Sequence, residues 1–156
     1  MTPDLRRAKA DDAAELVRMR STLLLSRPVD AHWTAVLTED LRERLTNDPL
    51  FAAFVIDAPD GRGLVSSALG MAYRVLPGPR YPKGLAGRVH AVATEPAYRR
   101  RGYATAVTSA LVDWCRDRGC TLFEVYAKGG SAGLYRTLGF EVDPACMRMS
   151  AVLPEC

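Results

Sequence analysis

The sequence lacks the features that mark membrane, secreted and metal-binding chains. No apolar run approaches the ~20 residues that a membrane-spanning helix needs, and the segment that opens with Met1 has no signal-peptide pattern. Cys115, Cys120, Cys146 and Cys156 show neither metal-ligand spacing nor a disulfide pattern. We therefore expect a reduced, cytoplasmic protein that holds no metal and has no membrane partner.

Two common phosphate-binding motifs are also missing. The chain contains neither G-x-G-x-x-G nor G-x-x-x-x-G-K-[ST]. The net charge is only +3, and the basic residues concentrate in one short run and the segment after it. No aromatic residues are interleaved with that run in the way that single-stranded nucleic-acid binding uses. The charge therefore suits an anionic small molecule, and we expect no nucleic-acid partner.

Length and composition indicate one globular domain. The chain has 156 residues, of which 48% are apolar and 25% are charged. A chain of this length can bury one hydrophobic core, but it is too short for two domains of typical size. We expect residues 1–156 to form a single domain, either as a monomer or as a homodimer.

Apolar periodicity predicts a series of strands and helices. Strands are predicted at residues 5–9, 51–57, 64–76, 89–94, 121–127 and 140–152. Helices are predicted from Asp11 or Asp12 to the Arg27-Pro28 pair, over residues 34–45, over 103–118 and through Leu134 and Tyr135. Residues 77–87 are predicted to be a loop, and Gly70 indicates a bulge. The order β-α-α-β-β-β-α-β-α-β is typical of a mixed α/β (α+β) sheet.

A basic turn joins the strand at 89–94 to the helix that follows it. The turn and the start of the helix consist of Arg99, Arg100, Arg101, Gly102, Tyr103, Ala104 and Thr105. The first backbone N–H groups of a helix lack partners, and the helix dipole adds positive charge at the same point. Since Gly102 and Ala104 carry almost no side chain, an anion can approach the backbone itself. The turn is therefore predicted to bind a phosphate or a diphosphate.

Two motifs in this order resemble the GCN5-related N-acetyltransferase (GNAT) family. The turn reads R-x-x-G-x-A, and about thirty residues later the chain reads L-Y-x-x-L-G-F, from Leu134 to Phe140. The resemblance implies a mixed, mostly antiparallel sheet flanked by helices. It also implies an acetyl-CoA-dependent N-acetyltransferase that moves acetyl to a primary amine of a small molecule or peptide, by direct attack in a ternary complex. The alternative is a catalytically weak acyl-CoA-binding or sensing domain.

The resemblance also implies where acetyl-CoA would lie. The pyrophosphate would bind the turn amides, and the main chain of Val92, Ala93 and Thr94 would face the pantetheine arm. Many relatives carry an asparagine seven residues before the tyrosine of the L-Y pair, where this chain has Lys128. Ser131 is therefore a further candidate contact for the pantetheine or phosphate region.

The catalytic candidates follow from the proton transfers that acetyl transfer requires. Tyr135 aligns with the family's acid, and a phenol of pKa ~10 can protonate a thiolate of similar basicity. His90 is the first candidate base, since its segment resembles the arylalkylamine branch of the family; the alternative is a structural strand histidine. Glu124 is the competing base and Glu95 a weaker one. Arg88 stands where the histone-modifying branch has a glutamate, which argues against that branch.

Overall fold

The predicted strands assemble into one sheet. The computed structural model describes residues 4–25 and 29–151. The strands, in sheet order, are β1 (Leu5–Arg7), β2 (Phe51–Asp57), β3 (Leu64–Arg74), β4 (Leu85–Thr94) and β5 (Phe123–Val125). Neighbours from β1 to β4 pair antiparallel, and β5 pairs parallel to β4. The predicted mixed, mostly antiparallel sheet flanked by helices is confirmed.

Helices cover both faces of the sheet. They are α1 (Ala13–Leu23), α2 (Ala31–Asn47), α3 (Tyr103–Asp117) and α4 (Ala132–Thr137). Buried apolar residues of α1, α2 and one sheet face form one core, which includes Leu16, Leu41 and Ala91. A second core lies between the other face and α3, and includes Val89 and Leu111. None of the helices in the described ranges has the length and apolarity that a membrane crossing needs.

A β-bulge divides β4 in the middle. Leu69 pairs with Ala91, but the next residue, Gly70, pairs with Val89, so His90 is an extra residue on β4. The register shifts at Gly70, where a bulge was predicted, but the extra residue lies on β4 and not on the strand that contains Gly70. A Cβ atom at Gly70 would lie 2.5 Å from the carbonyl oxygen of Arg88, which only glycine avoids.

The β4–β5 pairing stops at the same place. It covers Gly87 to Val89 on β4 and the three residues of β5. Beyond Val89 no strand in the described ranges pairs with this edge of β4, so residues 90–94 diverge from the chain that leaves β5.

The predicted elements differ from the structure at several boundaries and in one whole strand. β4 begins at Leu85, which lies inside the predicted loop. α2 begins at Ala31, three residues before its predicted start. It begins there because the Asp30 side chain caps the helix by accepting a hydrogen bond from the Trp33 N–H at 2.9 Å. The predicted strand 140–152 is wrong over its described residues 140–151, which contain no strand. A turn interrupts it, in which the Asp143 side chain accepts from the Ala145 N–H. The predicted helix end at Arg27-Pro28 lies outside the described residues, and α1 itself ends at Leu23.

Candidate active site

The turn between β4 and α3 has two residues in the left-handed region. Arg100 has φ 61° and Gly102 has φ 80°. Arg100 is the only non-glycine residue with positive φ in the described part of the chain. A left-handed conformation costs an ordinary residue roughly 1–2 kcal/mol, and such strain concentrates at ligand-binding sites. Alternating conformations of this kind turn successive N–H groups towards one concave point, which suits an anion.

The start of α3 is open at this point. No side chain caps the helix at Gly102, and the first intrahelical bond runs from the Ala106 N–H to the Gly102 carbonyl at 3.0 Å. A Cβ atom on Gly102 would meet nothing within 4 Å. The early amides of α3 therefore face free space, and the helix dipole makes that space attractive to negative charge.

The three arginines of the turn have different surroundings. Arg99 donates from Nε to the Thr94 carbonyl at 3.1 Å, which ties the turn to the end of β4. The Arg101 guanidinium lies 5.0 Å from the centre of the Tyr98 ring. The exposed Arg100 guanidinium makes no ion pair within the described ranges. None of the three pairs with a carboxylate there, and Arg100 differs from the other two in having no side-chain hydrogen bond or ring contact, so its whole guanidinium is open to an incoming anion.

A cavity of about 440 Å³ opens between the diverging chain segments. Most predicted binding residues line it: Val92, Ala93, Thr94, Arg99, Arg100, Gly102, Tyr103, Ala104, Thr105, Ser131 and Tyr135. Arg101, His90 and Glu124 are not among the lining residues. The cavity is also lined by residues that were not predicted as site residues: Leu23, Leu24, Tyr98, Gly133, Leu134 and Thr137. The run of leucines at the end of the first predicted helix was the available signal for Leu23 and Leu24.

Tyr135 lies on α4 at the wall of this cavity. The residue is 7% exposed, and its ring packs edge-on against Phe140 with the ring centres 5.7 Å apart. Burial raises the pKa of the phenol, because the charged phenolate is poorly solvated there. The group therefore stays protonated at neutral pH and can act as a proton donor.

His90 occupies the bulge, two residues before the lining residue Val92. Its side chain lies at the surface of β4, where neighbouring residues cover part of it. Partial burial lowers its pKa, and the positive charges of Arg20, Arg88 and Arg44 lower it further. The imidazole is therefore neutral at pH 7 and available as a base.

The two carboxylates considered as bases have different partners. Glu124 pairs with Arg88 in the β4–β5 register, with 3.9 Å between Oε2 and the Arg88 Nη2. Glu95 accepts a hydrogen bond from Arg18 at 2.6 Å. Glu95 is consequently held in a close ion pair, whereas Glu124 has no hydrogen bond in the described ranges and stays the stronger carboxylate candidate.

The segment at the unusual lysine has a local hydrogen-bond network. The Ser131 hydroxyl donates to the carbonyl oxygen of Lys128 at 2.7 Å. The hydroxyl proton of Ser131 is therefore used within the chain, while the oxygen lone pairs remain available on the cavity side.

The described residues contain no group of three or more His, Cys, Asp or Glu side chains that could hold a metal ion.

Comparison with known proteins identifies the family. A model of the Acetyltransferase (GNAT) family matches residues 19–140. The chain is 27% identical over 146 residues to a mycothiol acetyltransferase of Rhodococcus erythropolis, an alignment that covers 88% of this chain and 47% of the relative. The chain thus spans about half the length of that curated relative.

Solved structures share the fold. A predicted acetyltransferase from Clostridium acetobutylicum, solved with acetyl-CoA, superposes with a TM-score of 0.83 at 20% identity over 96% of both chains. A GCN5-related N-acetyltransferase from Ralstonia eutropha gives 0.78 at 20% identity, over 97% of this chain and all of that one. The family match covers most of the chain, including β4, the turn, α3 and Tyr135. The chain belongs to the Acetyltransferase (GNAT) family.

Proposed function

We propose that this protein is an acetyl-CoA-dependent N-acetyltransferase that transfers acetyl to a primary amine. One observation carries the proposal: the anion-binding turn, the unpaired end of β4 and the phenol of Tyr135 all line one cavity. The turn supplies an anion site, the strand supplies main-chain polar groups and Tyr135 supplies a proton. A thioester of coenzyme A needs the first two groups for binding and the proton donor for release of its thiolate.

The binding roles follow from the surroundings of each segment. The amides at the start of α3 and the side chain of Arg100 bind the pyrophosphate. Val92, Ala93 and Thr94 lie where β4 has lost its parallel neighbour, so their main-chain groups on that side can hydrogen-bond the pantetheine arm. One N–H of this segment also stabilises the carbonyl oxygen as negative charge develops there.

The proposed chemistry is direct attack by the amine on the thioester carbonyl. Attack forms the C–N bond and breaks the C–S bond, and Tyr135 donates its proton to the departing thiolate. The acceptor ammonium first loses a proton to His90, directly or through a water molecule. His90 is preferred to Glu124 because its imidazole is exposed and neutral, whereas Glu124 lies next to the Arg88 cation. We assign the whole reaction to one domain, residues 1–156, in a reducing cytoplasm.

Two measurements test the proposal. A thermal-shift experiment compares acetyl-CoA, free CoA and an oligonucleotide, and we expect stabilisation by the first two only. A thiol assay for CoA release then screens a panel of amines, with hydrolysis in the absence of amine as the blank. Amine-dependent release supports the enzyme. Acetyl-CoA binding without release for any amine would support the sensing domain instead, and absence of acetyl-CoA binding would refute both functions.

A further inference from the structure

A second group of positive side chains lies on the sheet face opposite α3. On β4, Gly87 and Val89 face α3, since a Cβ on Gly87 would meet Cys115 and Val89 belongs to the α3 core. Arg88, between them, therefore points to the face that α1 and α2 cover. Tyr73 shares this face, because it lies two residues beyond Met71, which packs against the α1–α2 core.

The Arg88 guanidinium is held in place but incompletely bonded. It lies 5.6 Å from the ring centre of Tyr73 and 5.3 Å from that of Tyr126. Its Nε is buried and donates to no acceptor in the described part of the chain. The nearest carboxylate, Glu124, is 3.9 Å from Nη2, which is too far for a hydrogen bond. A buried donor of this kind favours an acceptor oxygen from a bound molecule.

Two helix arginines add to the positive charge around His90. Arg20, in the last turn of α1, is half-buried and makes no ion pair within the described ranges. Arg44 of α2 pairs with Asp40 at 2.6 Å. All the charges that shift the pKa of His90 are cations, namely Arg20, Arg88 and Arg44. Asp40 and Glu124 partly offset Arg44 and Arg88, so within the described residues Arg20 is the unpaired positive charge that acts on the candidate base.

We infer that the acceptor is a primary amine that also carries an anionic group, a carboxylate or a phosphate, which binds Arg88 and Arg20 beside His90. This inference rests on the acetyl-transfer function proposed above. Arginine presents a planar set of donors that matches both anions. The positive charge beside His90 repels a bare ammonium and favours its deprotonation, so an anionic group on the same molecule is needed to offset the repulsion. A polycationic amine is disfavoured for the same reason.

The experiment measures kcat/KM for matched amines. The pairs are 4-aminobutanoate with 4-aminobutanamide and glucosamine 6-phosphate with glucosamine, and spermidine serves as the cationic comparison. In each pair the amine is similar and the anionic group is present or absent. We expect the anionic member to be preferred by roughly tenfold or more in at least one pair, the size of a hydrogen bond to a charged group. The pair that responds separates carboxylate from phosphate recognition.

Three variants locate the anionic group. R88Q and R20Q should each reduce the preference towards unity, and R88K should retain part of it because the charge remains. R42Q is the matched control, since Arg42 is an exposed arginine of α2 that pairs only with Glu39 in the described ranges, at 3.4 Å. It should leave the preference unchanged. Equal turnover within both pairs, or a preference that both R88Q and R20Q leave intact, would overturn the inference.

An independent measurement separates this inference from the acetyl-transfer proposal. If no amine releases CoA, acetyl transfer is refuted, and the anion site is then decided by NMR titration of His90. The chain has only two histidines, so H32Q assigns the His90 signal. Inorganic phosphate, added with saturating CoA to fill the turn, should raise the pKa of His90 in the wild type and not in R88Q. The same response in both proteins, or none in the wild type, would refute the anion site.

Discussion

Gly102 offers the sharpest test of the anion-binding turn, because the chain contains a matched control. Gly102 and Gly61 both have positive φ, 80° and 74°, and a Cβ at either would meet nothing within 4 Å. Gly61 lies in the turn between β2 and β3 and does not line the cavity, whereas Gly102 does. Substitution by alanine therefore causes the same backbone strain in both places, but only Gly102→Ala adds a methyl group at the site.

The expected magnitudes separate strain from binding. Alanine in the left-handed region should cost each variant about 1 kcal/mol of stability, after allowance for its smaller unfolded-state entropy. For a chain of this length, that lowers Tm by about 2–4 °C. A phosphate oxygen must approach an N–H to about 2.9 Å, and a methyl group at the turn prevents this. Loss of one charge-assisted hydrogen bond is worth about 1.5–3 kcal/mol, so Gly102→Ala should weaken acetyl-CoA roughly 10- to 100-fold.

Calorimetry measures acetyl-CoA affinity for the wild type and both variants, with Tm recorded for each. Gly61→Ala should bind as the wild type does, and Gly102→Val should bind more weakly than Gly102→Ala. If Gly102→Ala and Gly61→Ala are both folded and bind acetyl-CoA equally tightly, the pyrophosphate does not lie on this turn.

Three further predictions concern catalysis and stability. Tyr135→Phe keeps the packing and removes the proton, so kcat should fall roughly 100-fold while calorimetry shows unchanged acetyl-CoA affinity. If His90 is the base, kcat/KM should rise with pH as the imidazole becomes neutral, with a midpoint below its usual ~6.5 because burial and arginine charge lower its pKa. His90→Gln should remove this limb and Glu124→Gln should keep it. Asp12 accepts hydrogen bonds from Arg6 at 2.8 and 2.9 Å that hold its pKa below the usual range, so Asp12→Asn should cost about 1–2 kcal/mol at pH 7. Because the folded-state pKa is the lower one, that difference should shrink as the pH falls below ~4 in urea unfolding experiments.

Each of these predictions has a result that contradicts it. Unchanged kcat in Tyr135→Phe at saturating substrates would remove its role as acid. A pH limb that survives His90→Gln and disappears in Glu124→Gln would make Glu124 the base. Asp113, which pairs with Arg116 at the exposed surface of α3, is the control for Asp12. Asp113→Asn should lower the free energy of unfolding by less than about 0.5 kcal/mol. If the two variants lose the same amount, the Arg6–Asp12 hydrogen bonds stabilise the protein no more than an exposed surface pair does.

The sequence predicted those parts of the site that depend on neighbouring residues. The strand, turn and helix from residue 89 to 118 form a local unit, and α3 ends at Asp117, one residue before its predicted end. Leu23 and Leu24, at the end of α1, were not predicted to line the cavity, because their position beside it depends on how α1 packs on the sheet. Apolar and polar residues alternate in the predicted strand at 140–152, as they do in real strands. This alternation does not show whether the chain reaches the edge of the sheet, and the turn at Asp143 interrupts the segment.

The bulge at His90 connects the two halves of the proposed site. A regular strand would put Val89 and Ala91 on the same face, but here Val89 packs in the α3 core and Ala91 in the α1–α2 core. The bulge therefore reverses the alternation: residues two apart across it face opposite layers, whereas in a regular strand they would face the same layer. Val92 then faces the layer of α3, which begins at the proposed anion-binding turn, while Arg88 faces the layer that carries Arg20 and Arg44. One extra residue thus puts the side chains of Val92 and Arg88 on opposite faces of β4, whereas an uninterrupted strand would put them on the same face, and the candidate base lies between them in the chain.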